Sequence, residues 1–412
     1  MLDRFLPPSG PGRTLAIISL VNTTGSGLWV TSSALSLTRF VELPATHVGI
    51  GFSVAALVCL VASTPMGYLA DARGPRRQQV VFYVLLAALF GAMLLVNSLW
   101  SFILVAALTA LADAGQRGAR GALIAGCIPP EQRVRSRAMF RTMANVGYTL
   151  GAGTGGAAIA VGSLTAYRLM IIGNAASYLA VALLATRLPD LAPSVRAGSE
   201  PRLLSLRDRP YLLFVALDGL MSMHNDILNL VLPLWIAGHT GAPKWMAAVC
   251  IVVNTVLVVL LQVRTSRNTE TIQGAVRAAR AGGLLIGAAC LLFALSSGRS
   301  AGPATVLLLL GAVVHVLGEL RHSAAGWGLS FGLAPAERQG QYQATYAMGG
   351  QLGRIVGPAV LIWLVLGLGW PGWLGVAALV VLPAFAIRRA VDWSVRWRAA
   401  GRGEPVPGEL AR

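Results

Sequence analysis

Gly67-Tyr68-Leu69-Ala70-Asp71-Ala72-Arg73-Gly74-Pro75-Arg76-Arg77 is a charged turn set between two long apolar runs, near 47–70 and 79–97. An apolar run of about 20 residues is long enough to cross a bilayer as a helix. A short arginine-rich connection between two such runs reads as a cytoplasmic loop. Gly67 has no side chain, so another helix can pack closely there, and Gly74 permits the turn that reverses the chain. Asp71 closes the first run, where a carboxylate is costly unless it meets a cation or the positive N-terminal end of another helix. Arg73, Arg76 and Arg77 fix the loop on the inner side, and simple anchoring is the alternative to a functional role.

Working outward, further apolar runs fall near 14–37, 99–126, 136–160, 165–187, 210–237, 244–263, 279–297, 303–333, 342–367 and 372–390. The fold class expected is therefore all-α: twelve transmembrane helices as two pseudo-symmetric six-helix bundles around a central cavity. Composition agrees, with 55% hydrophobic and 12% charged residues among 412 against roughly 25% charged in soluble domains. The mean hydropathy is +0.67. The net charge of +17 does not point to nucleic acid, because the arginines lie in short loops rather than on a basic stripe interleaved with aromatics. Their distribution places both termini in the cytoplasm, with Arg73, Arg76, Arg77, Arg133, Arg135, Arg137, Arg264, Arg267, Arg388 and Arg389 inside and only Arg39, Arg168, Lys244 and Arg299 outside. Trp393, Arg396, Trp397 and Arg398 suit a tail helix lying at the inner surface. The leader Met1–Arg13 precedes a retained first helix. Cys59, Cys127, Cys250 and Cys290 stand alone and are read as packing residues.

Pro189, Pro193, Gly198 and Pro201 mark 188–208 as a cytoplasmic linker. It separates an N-terminal half, 1–187, from a C-terminal half, 209–390, followed by a basic tail, 391–412. A shift of 206 residues superposes Pro129 on Pro335, Glu131 on Glu337, Gly147 on Gly353, Gly151 on Gly357 and Asp113 on Glu319. An internal repeat of this kind builds a central site that opens to either side.

Polar residues inside apolar runs are expensive and mark the pathway. The first helix carries Asn22, Ser26, Trp29 and Ser33 on one face. The seventh carries Asp218, Ser222, Asn225 and Asn229 at the same spacing, with Asp226 on the same side, so the two stripes are expected to wall one cavity. Interhelical hydrogen bonding is the alternative for Asn22 and the serines. In the fourth helix Asp113, Arg117 and Arg120 share a face, and Asp113 can pair with Arg117. A static ion pair that stitches helices is the alternative. Gln351 and Arg354 occupy the eleventh helix, where Arg354 is expected to be buried with a partner such as Glu319. Gly147, Gly151, Gly155 and Gly156, with Gly353 and Gly357, are read as helix-packing glycines. His224, His315 and His322 are separate histidines in apolar segments, each read as packed rather than as a metal ligand.

The opening stretch resembles the loop between the second and third helices of the major facilitator superfamily, Gly-x-Leu-Ala-Asp-Arg-x-Gly-Arg-Lys/Arg. Gly67, Leu69, Ala70, Asp71, Gly74 and Arg76 match; Ala72 and Pro75 depart, and one cation moves to Arg73. The resemblance implies that Asp71 meets a helix end from the opposite half and locks one conformation. Arg117-Gly118-Ala119-Arg120-Gly121 resembles the Arg-x-x-Gln-Gly element of the drug:proton antiporter branch, with Arg120 in place of Gln. That implies a part for Arg117 in proton coupling. The run from Gly147 to Gly156 resembles the same branch's Gly-x-x-x-Gly-Pro-x-x-Gly-Gly element, with Ala152 in place of Pro.

With no nucleotide-binding loop in the sequence, an ion gradient is the expected energy source, and protons the expected ion. The function expected is proton-coupled export of drug-like or secondary-metabolite compounds by alternating access. The alternatives are proton symport into the cell and a membrane sensor or scaffold that moves nothing. Asp113 with Arg117 is the expected coupling pair, and Glu319 and Asp226 are carboxylates suited to a cationic substrate. No cofactor, no metal and no nucleic acid are called for. The partners are a small-molecule substrate, protons and the bilayer of a bacterial inner membrane, around a multi-pass monomer.

Overall fold

The computed structural model describes residues 10–39, 41–194 and 203–402. The leader up to residue 9, residues 195–202 of the linker and the tail beyond 402 lie outside them. Helix is the only regular secondary structure among the described residues. In chain order the helices are α1 Pro11–Arg39, α2 Ala45–Arg73, α3 Pro75–Ala92, α4 Leu99–Cys127, α5 Pro130–Val161 and α6 Leu164–Ala185. The next, α7, is broken: Arg209–Ser222 is α-helical, Met223–Asp226 a 3-10 turn, Ile227–Val231 a π turn, and Leu232–His239 α-helical again. Then come α8 Met246–Thr265, α9 Ile272–Leu295, α10 Ala301–Gly332, α11 Gln339–Ile362 and α12 Trp370–Arg402. This is the twelve-helix, two-bundle architecture.

Local chemistry sets the boundaries. Ser98, Ser163, Asp208 and Thr271 cap α4, α6, α7 and α9, each side chain accepting a backbone N–H of the first turn. Proline occupies the first turn of α3, α5 and α7, where its missing N–H costs nothing. Gly74 makes the reversal between α2 and α3 at φ 90°, a conformation that disfavours any side chain. Nine helices among the described residues are long and apolar enough to cross a membrane. Of the other three, α1 is rich in Ser, Thr and Asn, α5 carries Arg133, Arg135, Arg137 and Arg141 in its first half, and α7 is interrupted. Lipid-facing positions are apolar, as Leu57, Val61, Leu183, Val252, Leu260 and Leu382 illustrate.

The chain divides into two compact units, 1–203 with 334–345, and 204–333 with 346–412. Within the first, the principal helix pairs include α1 with α6, α2 with α4, α3 with α4 and α3 with α6. Within the second they include α7 with α12, α8 with α10, α9 with α10 and α9 with α12. These are the same pairs six helices on, as the internal repeat requires. Unit 1 buries Tyr83, Phe90, Phe102 and Tyr178; unit 2 buries Trp235, Phe293 and Trp373, with the Trp235 indole donating to Ser296 Oγ at 3.1 Å.

One expectation needs correction. The chain runs through residue 390 to residue 402 as one helix, so the first part of the tail extends α12 instead of forming a separate surface helix. No helix-breaking residue intervenes there, since Pro383 lies earlier and α12 accommodates it. The described start of the linker is held in place: Ser194 N–H donates to Asp71 O (2.9 Å), Ser194 Oγ donates to Glu337 O (2.7 Å), and Leu191 packs on Gly126.

Candidate functional site

Asp71 sits at the end of α2 with 3% of its surface exposed. Its Oδ1 accepts the Gly340 N–H and its Oδ2 the Gln341 N–H, both at 2.8 Å, in the first turn of α11. Unpaired backbone donors and the helix dipole make that turn a natural seat for a carboxylate. Gly67, one turn earlier, makes the approach possible: a Cβ there would lie 2.5 Å from Gly340 O. Gly118 of α4 passes Gly67 on another side, with Gly67 Cα 2.9 Å from where its own Cβ would stand. Arg73 is exposed, and Arg76 reaches Asp190 only at 4.0 Å on the surface. All of these residues belong to unit 1, which includes 334–345.

In α4 the Asp113 carboxylate and the Arg117 guanidinium meet at 2.5 Å across one turn, both partly exposed. Gln116 Nε2 donates to Asp113 Oδ1 (2.7 Å), and the buried Tyr83 hydroxyl of α3 donates to Gln116 Oε1 (2.9 Å). Arg120, the cation of the next turn, donates to Ser19 Oγ of α1. The sequence identified the pair, but not the Tyr83–Gln116 arm that holds Asp113 from behind. Of the α1 stripe, Ser26 donates to Asn22 O (3.0 Å), Asn22 Oδ1 is buried with no hydrogen-bond partner, and Trp29 stands edge-on to Phe90 of α3 at 5.2 Å. Trp29 is partly buried and packs against the core cluster of unit 1 that holds Met93 and Phe102.

The glycines act as spacers in both units. A Cβ on Gly147 would strike Leu20 O, and one on Gly151 would strike Thr24 O, so α1 and α5 touch backbone to backbone. Gly155 meets Thr31 at 3.2 Å. In unit 2, Gly353 meets Gly219 O at 2.7 Å and Gly357 meets Asp226 Oδ2 at 3.1 Å, bringing α11 onto α7. Gly156 has no atom within 4 Å of its would-be Cβ, so it is not a packing glycine.

The break in α7 overturns the single polar stripe expected there. A 3-10 turn followed by a π turn changes the angular period after Ser222, so Asn225 and Asn229 no longer continue the face of Asp218 and Ser222. Asp218 points into unit 2 and is buried, Ser222 donates to its own helix at Gly219 O (2.7 Å), and Asn225 and Asn229 are exposed. Asp226 is half-buried, in electrostatic contact with Arg354. Arg354 is exposed, not buried as expected, because the packed face of α11 is the one carrying Gly353 and Gly357. Gln351 is buried. Glu319 is buried in α10 and accepts from Asn254 Nδ2 of α8 at 2.8 Å.

The histidines are not separate. His322 Nε2 lies 3.1 Å from Asp218 Oδ1, His322 Nδ1 3.1 Å from His224 Nε2, and His224 Nδ1 3.3 Å from His315 Nε2. They form a series, each nitrogen facing the next, instead of converging on a point. Among the described residues no group of three or more His, Cys, Asp or Glu is arranged to hold a metal ion.

The model of the family described as the Major Facilitator Superfamily matches residues 15–358 of the chain. A solved bacterial homologue of the iron transporter ferroportin, in its outward-facing state, is 13% identical with a TM-score of 0.72, covering 94% of this chain and 99% of its own. The human organic anion transporter MFSD10 (TETRAN) is 18% identical with a TM-score of 0.64, covering 92% of this chain and 100% of its own. The proton:xylose symporter XylE is 13% identical with a TM-score of 0.65, covering 92% and 94%. At these identities the likeness establishes the fold. No match was found among curated proteins.

Proposed function

The chain belongs to the major facilitator superfamily, and from that premise we propose that this membrane transporter is proton-driven and exports drug-like or secondary-metabolite compounds by antiport. It works by alternating access as a monomer in a bacterial inner membrane, with both termini in the cytoplasm, as the arginine distribution favours. The observation that carries the coupling is the Asp113–Arg117 pair at 2.5 Å, inside a membrane-spanning helix. An arginine keeps its proton at any physiological pH. Separating the pair therefore leaves Asp113 as the group that takes a proton up, and re-forming it drives the proton off. Gln116 and Tyr83 hold the carboxylate in place through both steps. Asp71, bonded to the start of α11, serves as the latch of one conformation. Asp226, half-buried beside the exposed Arg354, is the carboxylate best placed to meet a cationic substrate.

Import by proton symport is the second reading, favoured by Ala152, which leaves α5 a continuous helix without the antiporter element's proline. Direction is tested in cells stripped of their own pumps and exposed to a compound panel. Export predicts reduced accumulation of at least one compound, restored when the pH gradient is collapsed. Enhanced accumulation that depends on the gradient establishes symport instead.

A further inference from the structure

Three histidines and an aspartate in series, buried in a membrane helix bundle, require a tautomer assignment. All four are at most 6% exposed. Each neutral imidazole has one N–H and one bare nitrogen. With Asp218 ionised, His322 Nε2–H donates to Asp218 Oδ1, leaving His322 Nδ1 bare. His224 Nε2–H then donates to His322 Nδ1, and His315 Nε2–H fills the remaining place against His224 Nδ1 or the His224 carbonyl, 3.2 Å away. The chain satisfies itself in one direction only, and its last atom, His315 Nδ1, is buried with no hydrogen-bond partner. A bare acceptor at the end of a self-consistent chain is the entry point of a proton wire.

We propose that His315, His224, His322 and Asp218 form a proton relay within the second unit, loaded at His315 Nδ1 and emptied at Asp218. It rests on the proton-coupled reading and adds a second proton site to it. A proton binds His315 Nδ1, and His315 passes the one on Nε2 to His224 Nδ1. His224 passes its Nε2 proton to His322 Nδ1, and His322 passes its Nε2 proton to Asp218 Oδ1. One proton enters and one ends on the carboxyl. Every imidazole is neutral before and after, with its tautomer inverted, and the loaded relay carries no net charge.

The surroundings fit a relay. Glu319, one turn from His315 on α10 and in electrostatic contact with it, is placed to supply the entry side. The hydroxyl of Tyr346 of α11 adjoins Asp218 at Gly326, where a Cβ would lie 2.9 Å from Asp218 Oδ1. From α8 the polar group is Asn254, on Glu319. The α9 helix meets α10 through Gly282, against the His322 backbone, and Ile286. The charged residues Arg280 of α9 and Arg388, Arg389 and Asp392 of α12 line a different pocket. Asp226 and Arg354 face each other across α7 and α11. Gly326, the 206-residue counterpart of Arg120, brings no cation here, and the Tyr346 hydroxyl and the Asp218 carboxylate occupy the space beside it.

The test is magnetic resonance of the full-length protein with ¹⁵N-labelled histidine in lipid nanodiscs, with infrared spectra of the carboxyl groups on the same samples. The three resonances are assigned by His315→Gln, His224→Gln and His322→Gln. In the parent protein the relay predicts all three histidines as Nε2–H at alkaline pH. Acidification should convert them together to Nδ1–H as a protonated carboxyl band, absent in Asp218→Asn, appears. His224→Gln should uncouple His322 from His315. Asp218→Asn, which removes the terminal acceptor and leaves all three rings, should abolish the joint conversion. Three histidines that titrate independently to imidazolium, or that keep their tautomers while the carboxyl titrates, overturn the relay. If the conversion is present but no compound flux follows a pH gradient, the coupling reading fails and the relay stands; gradient-driven flux without the conversion sinks the relay alone.

Discussion

The fourth and tenth helices occupy equivalent places in the two units, yet they carry opposite chemistry. Where α4 has Asp113, Gln116, Arg117 and Arg120, α10 has Glu319, His322, Ser323 and Gly326. Their neighbours differ in the same sense. Ser19 of α1 receives Arg120 in unit 1, and Asp218 of α7 receives His322 in unit 2. Unit 1 thus holds guanidinium groups around one carboxylate, and unit 2 holds imidazole rings beside another. The spacing glycines, by contrast, agree: Gly147 and Gly151 seat α5 on α1 as Gly353 and Gly357 seat α11 on α7. Duplication has kept the packing and let the polar chemistry diverge, because backbone-to-backbone contact tolerates no substitution while a buried polar pair can be replaced by any other that satisfies itself.

The largest effect should come from breaking the shared part. Gly151→Leu would drive a side chain into Thr24 O, and Gly353→Leu into Gly219 O. Each should destabilise its unit by about 3 kcal/mol, read as early thermal unfolding of the purified protein. A tolerated Gly353→Leu would show that the two units are not packed alike. The next effect belongs to the α2 latch. Asp71→Asn keeps one acceptor but loses the charge facing the α11 N-terminus, and should cost about tenfold in transport at unchanged expression, with Arg73→Ala costing less. Parental transport by the Asp71 variant would reduce the loop to topology. Smallest is Gly156→Ala, which meets open space and should stay within about 0.5 kcal/mol of the parent.

Helix number and spacing were legible because an apolar run long enough to span a bilayer has few other uses, and the arginines punctuate the runs. The Asp71 contact was legible from a carboxylate placed where only a helix end or a cation could hold it. The histidine series was not. His224 is brought to His315 and His322 by a break in α7 that no proline or glycine within Met223–Val231 announces. One signal did exist: His315, Glu319 and His322 fall at i, i+4 and i+7 along α10, which puts three titratable groups on a single buried face. Arg354 was misjudged because an arginine in an apolar run reads as buried, whereas the glycines beside it turn the packed face elsewhere.

Asp113, released from Arg117, is proposed to carry the coupling proton. The direct measurement is flux of a panel-identified substrate in proteoliposomes under an imposed pH gradient, comparing the parent with Asp113→Asn, alongside gradient-free exchange. The variant should exchange substrate at the parental rate but build no concentration gradient from the pH difference. Uphill transport by Asp113→Asn under a pH gradient alone would contradict it.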